Sequence, residues 1–240
     1  VKMKKILKLL ILIILLLVVY LIYTIFKTDK LNYIALGDSV AEGMNPYGEI
    51  GYSYTDYIAD YLKKERKLSS YTKKYTKSGY ITENVINDIK NNNELKKDLR
   101  ESNLVTISIG ANDFLKNISI GEMSVDNIKE IKDKISVVFP NIEETIKEVR
   151  KYAKNQMIIV GYYNPIPFLF NTNGNDLDIL FAYMDDEYKN IANKYNCDYV
   201  SLYMLFKNNS SYLPNPADIH PNLDGYKAIS NEVINVLHKN

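Results

Sequence analysis

Tryptophan is absent from this chain of 240 residues, cysteine occurs once and histidine twice. The single cysteine, Cys197, closes no disulfide within the chain and has no second thiolate with which to hold a metal. Its setting in "YNCDYV", at the start of an apolar run, is that of a core thiol. Two histidines, His220 and His238, are too few for a multi-histidine metal centre, so imidazole chemistry falls to one or other of them. An excess of one charge is missing as well, with 30 Lys and Arg against 29 Asp and Glu. There is no basic stripe interleaved with stacking aromatics, so nucleic acid is not an expected partner. Internal repeats and low-complexity tracts are lacking too.

Small residues are missing from the N-terminus. No Ala, Gly, Ser or Cys precedes Ala35, so the apolar run from Ile6 to Phe26, with Lys8 as its only charge, is followed by no signal-peptidase site or lipoprotein cysteine. At 1.5 Å per residue the run reaches about 30 Å, the thickness of a bilayer's hydrocarbon core. It is therefore expected to be an uncleaved single-pass anchor over residues 1–26, joined by a linker at 27–30 to one domain at 31–240. Lys2, Lys4, Lys5 and Lys8 outweigh Lys27 and Lys30, which points to a cytoplasmic N-terminus and an extracellular domain.

Within the domain, apolar and polar segments alternate in a βα rhythm. Strands are expected at 31–37, 69–79, 103–110, 156–163 and 197–203. Helices are expected at 53–68, at 82–92 with Thr82 as N-cap, at 125–154 with a break near Pro140, at 176–195 and at 223–238. Strands separated by helices argue for a parallel sheet covered on both faces. The loop at 164–175, "NPIPFLFNTNGN", reads either as a loop folded on the core or as a substrate-facing wall.

In such a sheet, ligands bind beyond the carboxyl ends of the strands. Ser39 follows the first strand in "GDSVAEG", Gly79 the second in "KSGYIT" and Asn112 the third in "GANDF"; with strand order 2-1-3 these ends are neighbours. Acyl transfer requires such a group, a nucleophile flanked by donors aimed at a developing oxyanion. Each residue also has a plainer role: Ser39 as a helix N-cap, Gly79 as a positive-φ residue, Asn112 as a cap shared with Asp113. "NPADIHPNLDGY" adds His220 as a base, and Asp218, two residues earlier in an extended segment, lies on the same side as the imidazole. The plainer role of these two is in a turn before Pro221. His238 suits the negative end of a helix dipole.

Taken in order, "GDSVAEG", "SGYIT", "GAND" and "DIHPNLDGY" resemble the four blocks of the SGNH (GDSL-type) hydrolase superfamily, which includes bacterial GDSL-like lipases and acylhydrolases. The likeness runs from about residue 32 to the C-terminus. It implies a three-layer α/β/α sandwich with a mostly parallel five-stranded sheet of flavodoxin-like layout. It also implies carboxylic ester hydrolysis without metal or cofactor, with Ser39 as nucleophile, His220 as base, and Ser39, Gly79 and Asn112 as the oxyanion hole. One block departs from the family pattern, because Ala217 stands where the acid of Asp-x-x-His belongs. Either Asp218 serves from a shifted position or the site works as a Ser-His pair. A domain tethered outside the membrane suits either a lipid or lysophospholipid substrate or an O-acetyl group on cell-wall polysaccharide; the apolar "PIPFLF" stretch favours the lipid, with the O-acetyl ester as the alternative. A membrane-tethered binding module without activity is the reading from another class.

Overall fold

The structure is a computed structural model and describes residues 2–26, 30–118, 128–165 and 176–239. Its first strand, β1 (Leu31–Gly37), sends alternate side chains to opposite faces. Tyr33 and Ala35 enter one buried apolar cluster, Ile34 and Leu36 another. A strand that is apolar on both faces needs cover on both, which is the situation of a parallel sheet. Beside β1 lie β2 (Leu68–Thr76) and β3 (Leu104–Ser108), and beyond β3 come β4 (Gln156–Val160) and β5 (Asp198–Val200). Every pairing is parallel and the order is β2-β1-β3-β4-β5. The three-layer sandwich and the 2-1-3 order expected from the sequence are both present.

Helix α3 (Tyr54–Lys64) covers one face together with α11 (Leu223–Leu237), through Tyr54, Ile58, Leu62, Tyr226, Ile229 and Val233. The other face is covered by α4 (Thr82–Asn91), α5 (Asn93–Glu101), α7 (Ile128–Ser136), α8 (Phe139–Arg150) and α9 (Asp176–Lys194). Ser53 starts α3 with a capping box: its hydroxyl accepts from Thr55 N at 3.2 Å, and Asp56 accepts from Ser53 N at 2.9 Å. Cys197 is half-buried, and burial pushes its thiol up to about 11, as suits an inert core sulfur.

Several expectations are corrected. Helix α1 (Lys2–Phe26) is present, but among the described residues no helix is long and apolar enough to cross a membrane. The transmembrane helix placed before the domain is not supported, and the single-pass location with an extracellular domain that rested on it falls with it. Thr82 is the first residue of α4 and not its cap, a place taken by Ile81. Pro140 sits in the first turn of α8, where its missing N–H costs nothing, and the break between helices comes just before it. Helix α5 was not foreseen at all. Most of the loop at 164–175 lies outside the described residues.

Strand β1 leaves the sheet at Gly37, whose φ of +139° few side chains adopt and where an added Cβ would stand 2.1 Å from the Ser108 carbonyl oxygen. This close approach lets Asp38 N–H donate to Ser108 O at 3.1 Å. Gly37→Ala should therefore destabilise the domain by about 2–4 kcal/mol, read as a lower midpoint in urea unfolding. An unchanged midpoint would contradict the close approach.

Candidate active site

The segment after Gly37 turns directly into a short helix, α2 (Ser39–Glu42). Its N-cap is Asp38, whose Oδ1 accepts from Val40 N at 3.1 Å. The capping role that Ser39 might have filled thus belongs to its neighbour, and the serine hydroxyl is left for another partner. That partner is His220, with Ser39 Oγ and His220 Nε2 2.8 Å apart. Both residues are buried.

His220 lies between a 3₁₀ turn at Ser210–Tyr212 and α11, in a segment held at several points. The Tyr163 hydroxyl donates to Ile219 O at 2.8 Å, and Asn222, the N-cap of α11, accepts from Gly225 N at 2.9 Å. Asp218 Oδ1 accepts from both the backbone N–H and the Nδ1 of His220, each at 2.8 Å. With Nδ1–H committed to the carboxylate, Nε2 carries the lone pair, and the Ser39 hydroxyl donates to it. Ala217, at the position where the family acid belongs, is exposed.

Asn112 is in the first turn of α6 (Ala111–Asn117). Its Nδ2 donates to Tyr80 O at 2.9 Å, and a primary amide has a second N–H to offer. Ser39 and Asn112 both line a pocket of about 70 Å³ whose wall is largely apolar, including Phe114, Ile118, Ile135, Leu180 and Met184. Gly79 is not one of the lining residues. It sits in the turn that follows β2, closed by Tyr80 N donating to Lys77 O at 3.1 Å. Its φ of +79° is what the third position of a type II turn requires. His238 is far from this group in function, ending α11 and bonding to the Tyr61 hydroxyl at 2.5 Å.

Sequence reasoning missed two residues of the site. Tyr162, just past β4, lines the pocket and donates its hydroxyl to Asp38 Oδ2. Asp38 is fully buried, and burial pushes its carboxyl up to about 7, against the pull of the Tyr162 and Val40 donors; the charge of Asp113 pushes it up further. The only sequence signal was the place of Asp38 beside Ser39, and nothing marked Tyr162. Among the described residues, no cluster of His, Cys, Asp and Glu side chains is arranged to hold a metal ion.

A five-stranded parallel α/β/α sandwich with a serine and a histidine bonded at its carboxyl edge has the layout of a hydrolase. The chain belongs to the GDSL-like Lipase/Acylhydrolase family, whose model matches residues 35–228. It is 24% identical over 211 residues to the uncharacterized protein YpmR of Bacillus subtilis (strain 168), covering 85% of this chain and 80% of that one. Its fold is similar to that of the lipase Lip_vut3 from a goat rumen metagenome, with a TM-score of 0.65, 18% identity and coverage of 85% and 95% of the two chains. It is also similar to Axe2, an acetylxylan esterase from Geobacillus stearothermophilus, with a TM-score of 0.61, 18% identity and coverage of 88% and 95%.

The buried carboxyl gives a pH prediction. An unfolded Asp38 ionises near 3.8, whereas the folded group holds its proton up to about 7. Between these values the unfolded chain binds fewer protons, so stability from this group is full below pH 3.8 and is lost as pH rises through 7. Compared with Asp38→Asn, the wild-type protein should lose unfolding free energy between pH 4 and 7 in urea melts. Parallel curves for the two proteins would show that Asp38 is not held neutral.

Proposed function

We propose that the protein is a serine acylhydrolase of carboxylic esters in which Ser39 is the nucleophile and His220 the general base. The observation that carries this reading is the unbroken series of 2.8 Å contacts from Ser39 Oγ, which lines the pocket, through the imidazole to Asp218. As Ser39 Oγ attacks the ester carbonyl carbon, its proton passes to His220 Nε2 and the carbonyl π pair moves to oxygen. His220 then returns that proton to the departing alkoxide, leaving an acyl-enzyme. Water, deprotonated by the same nitrogen, attacks the acyl carbon; as the C–Oγ bond breaks, His220 returns the proton to Ser39 Oγ and the carboxylic acid leaves. Asp218 holds the tautomer and faces the imidazolium that forms, taking the acid's part from two residues before the histidine.

The oxyanion is assigned to three donors, the Ser39 and Gly79 amides and the Asn112 side chain. Ser39 is the first residue of α2, so its N–H has no partner inside the helix. Gly79 N–H meets no acceptor among the described residues, and Asn112 retains one amide hydrogen. Losing one donor of this kind typically costs about 3–4 kcal/mol in the barrier. The pocket beside Ser39 suits an apolar acyl chain, which favours lipid or lysophospholipid esters over a polysaccharide O-acetyl group. The acetyl reading keeps its place through the fold likeness to an acetylxylan esterase.

Hydrolysis of p-nitrophenyl esters of increasing chain length is the test. The expected result is a preference for butyrate or longer over acetate, with kcat lowered more than about 10⁴-fold by Ser39→Ala. Asp218→Asn should lower it by about 10²- to 10⁴-fold through loss of the tautomer. A preference for acetate would support the O-acetyl reading, and full activity in Ser39→Ala would overturn the scheme. Folded protein inactive on every ester would favour a binding module.

A further inference from the structure

Helix α2 is only four residues long, too short to hold its own geometry. Its last residue, Glu42, is half-buried and turns its carboxylate to the turn after β2 instead of to water. Glu42 Oε2 accepts from Ser78 N at 2.6 Å and from the Ser78 hydroxyl at 2.5 Å. From the β2 side, Lys73 Nζ donates to the Glu42 carbonyl oxygen at 3.0 Å. The residue is thus tied to the second strand region through both its side chain and its backbone. Ser78 immediately precedes Gly79, so fixing the Ser78 amide and hydroxyl leaves two soft dihedrals to aim the Gly79 N–H. The far end of the turn is closed by Tyr80 N donating to Lys77 O and is anchored by Asn112 Nδ2 on Tyr80 O.

We propose that Glu42 is a positioning residue, clamping the Ser78–Gly79 turn to the helix that begins at Ser39 so that the Ser39 and Gly79 amides form one rigid oxyanion site. This rests on the esterase reading above and assigns the oxyanion geometry to a side chain that never touches substrate. Charge-assisted bonds from one carboxylate to two donors of Ser78 are short and directional. They suit an element that must keep two amides in register while charge develops between them. With the clamp removed, the turn drifts, substrate still binds in the apolar pocket, and only the tetrahedral state is lost.

The test compares Glu42→Ala and Glu42→Gln with the wild-type full chain on the best p-nitrophenyl ester, with inactivation by a phosphonate ester measured beside it. In Glu42→Ala, kcat should fall roughly 10- to 100-fold, the scale of a small misplacement of catalytic groups, with KM within about twofold. The phosphonylation rate should fall in step, because that adduct also places an oxygen in the oxyanion site. Glu42→Gln, which keeps an acceptor for Ser78 N–H, should recover most of the loss. Should Glu42→Ala fail to fold, Glu42→Asp, which keeps the charge but withdraws it by one methylene, carries the same expectation. An unchanged kcat, or a loss confined to KM, would overturn the proposal while leaving the esterase reading intact. Ser39→Ala with full activity would instead remove the reading on which it rests.

Discussion

The hydrogen bond between Ser39 Oγ and His220 Nε2 joins residues 181 positions apart, and the rest of the domain is arranged so that it can form. Ser39 is delivered by β1 near the centre of the sheet, where the close passage of Gly37 over Ser108 turns the chain into α2. His220 is delivered by the segment leading into α11, which packs against α3 on the same face. Cross-ties bring the two segments into register. Tyr226 donates to Met44 O at 2.6 Å and Asn215 to Pro46 O at 2.7 Å, both joining the C-terminal region to the stretch just after Ser39. A contact with the catalytic role proposed above would tolerate errors of only about 0.5 Å, and these buried bonds hold the two short loops in place.

Beneath the serine the polar groups are paired and the surroundings are apolar. Asp38 is closed off by Tyr162 and Val40, and Asp113 by the Thr82 amide and hydroxyl, which fastens the Asn112 segment to the start of α4. Unpaired buried polar groups are costly, and the described side chains leave none unsatisfied. Of the residues with a donor left over, Ser39 and Asn112 line the apolar pocket, whereas Gly79 does not. Under the proposed esterase reading, an apolar wall would strengthen the action of such donors on a developing charge, since the local dielectric is lower than in water.

Much of this architecture was legible because periodicity and punctuation report local physics. The strand at 31–37 was foreseen with its observed ends, since it is apolar throughout and stops at a glycine. The βα alternation pointed to a parallel sheet covered on both faces, and the 2-1-3 order assumed for it, in keeping with the layout the family resemblance implies, is present. Tertiary effects were less legible. Asp38 takes the cap of α2, a role the sequence reading gave to Ser39 as its plainer alternative, and aspartate caps a helix as well as serine does. Ile81 displaced Thr82 as the cap of α4 because the threonine hydroxyl is drawn to Asp113. Tyr162 and Glu42 gave no signal, as their partners lie far along the chain. The spanning anchor was inferred from hydropathy and length alone, and the described part of α1 does not support it.

The most direct test of the account is covalent labelling by a fluorophosphonate, followed by peptide mass spectrometry of the wild-type protein and of Ser39→Ala and His220→Ala variants. The account predicts one adduct, on the peptide containing Ser39, absent in Ser39→Ala and formed far more slowly in His220→Ala. Labelling at another residue, or at the wild-type rate in His220→Ala, would contradict the pairing of serine and histidine on which the rest depends.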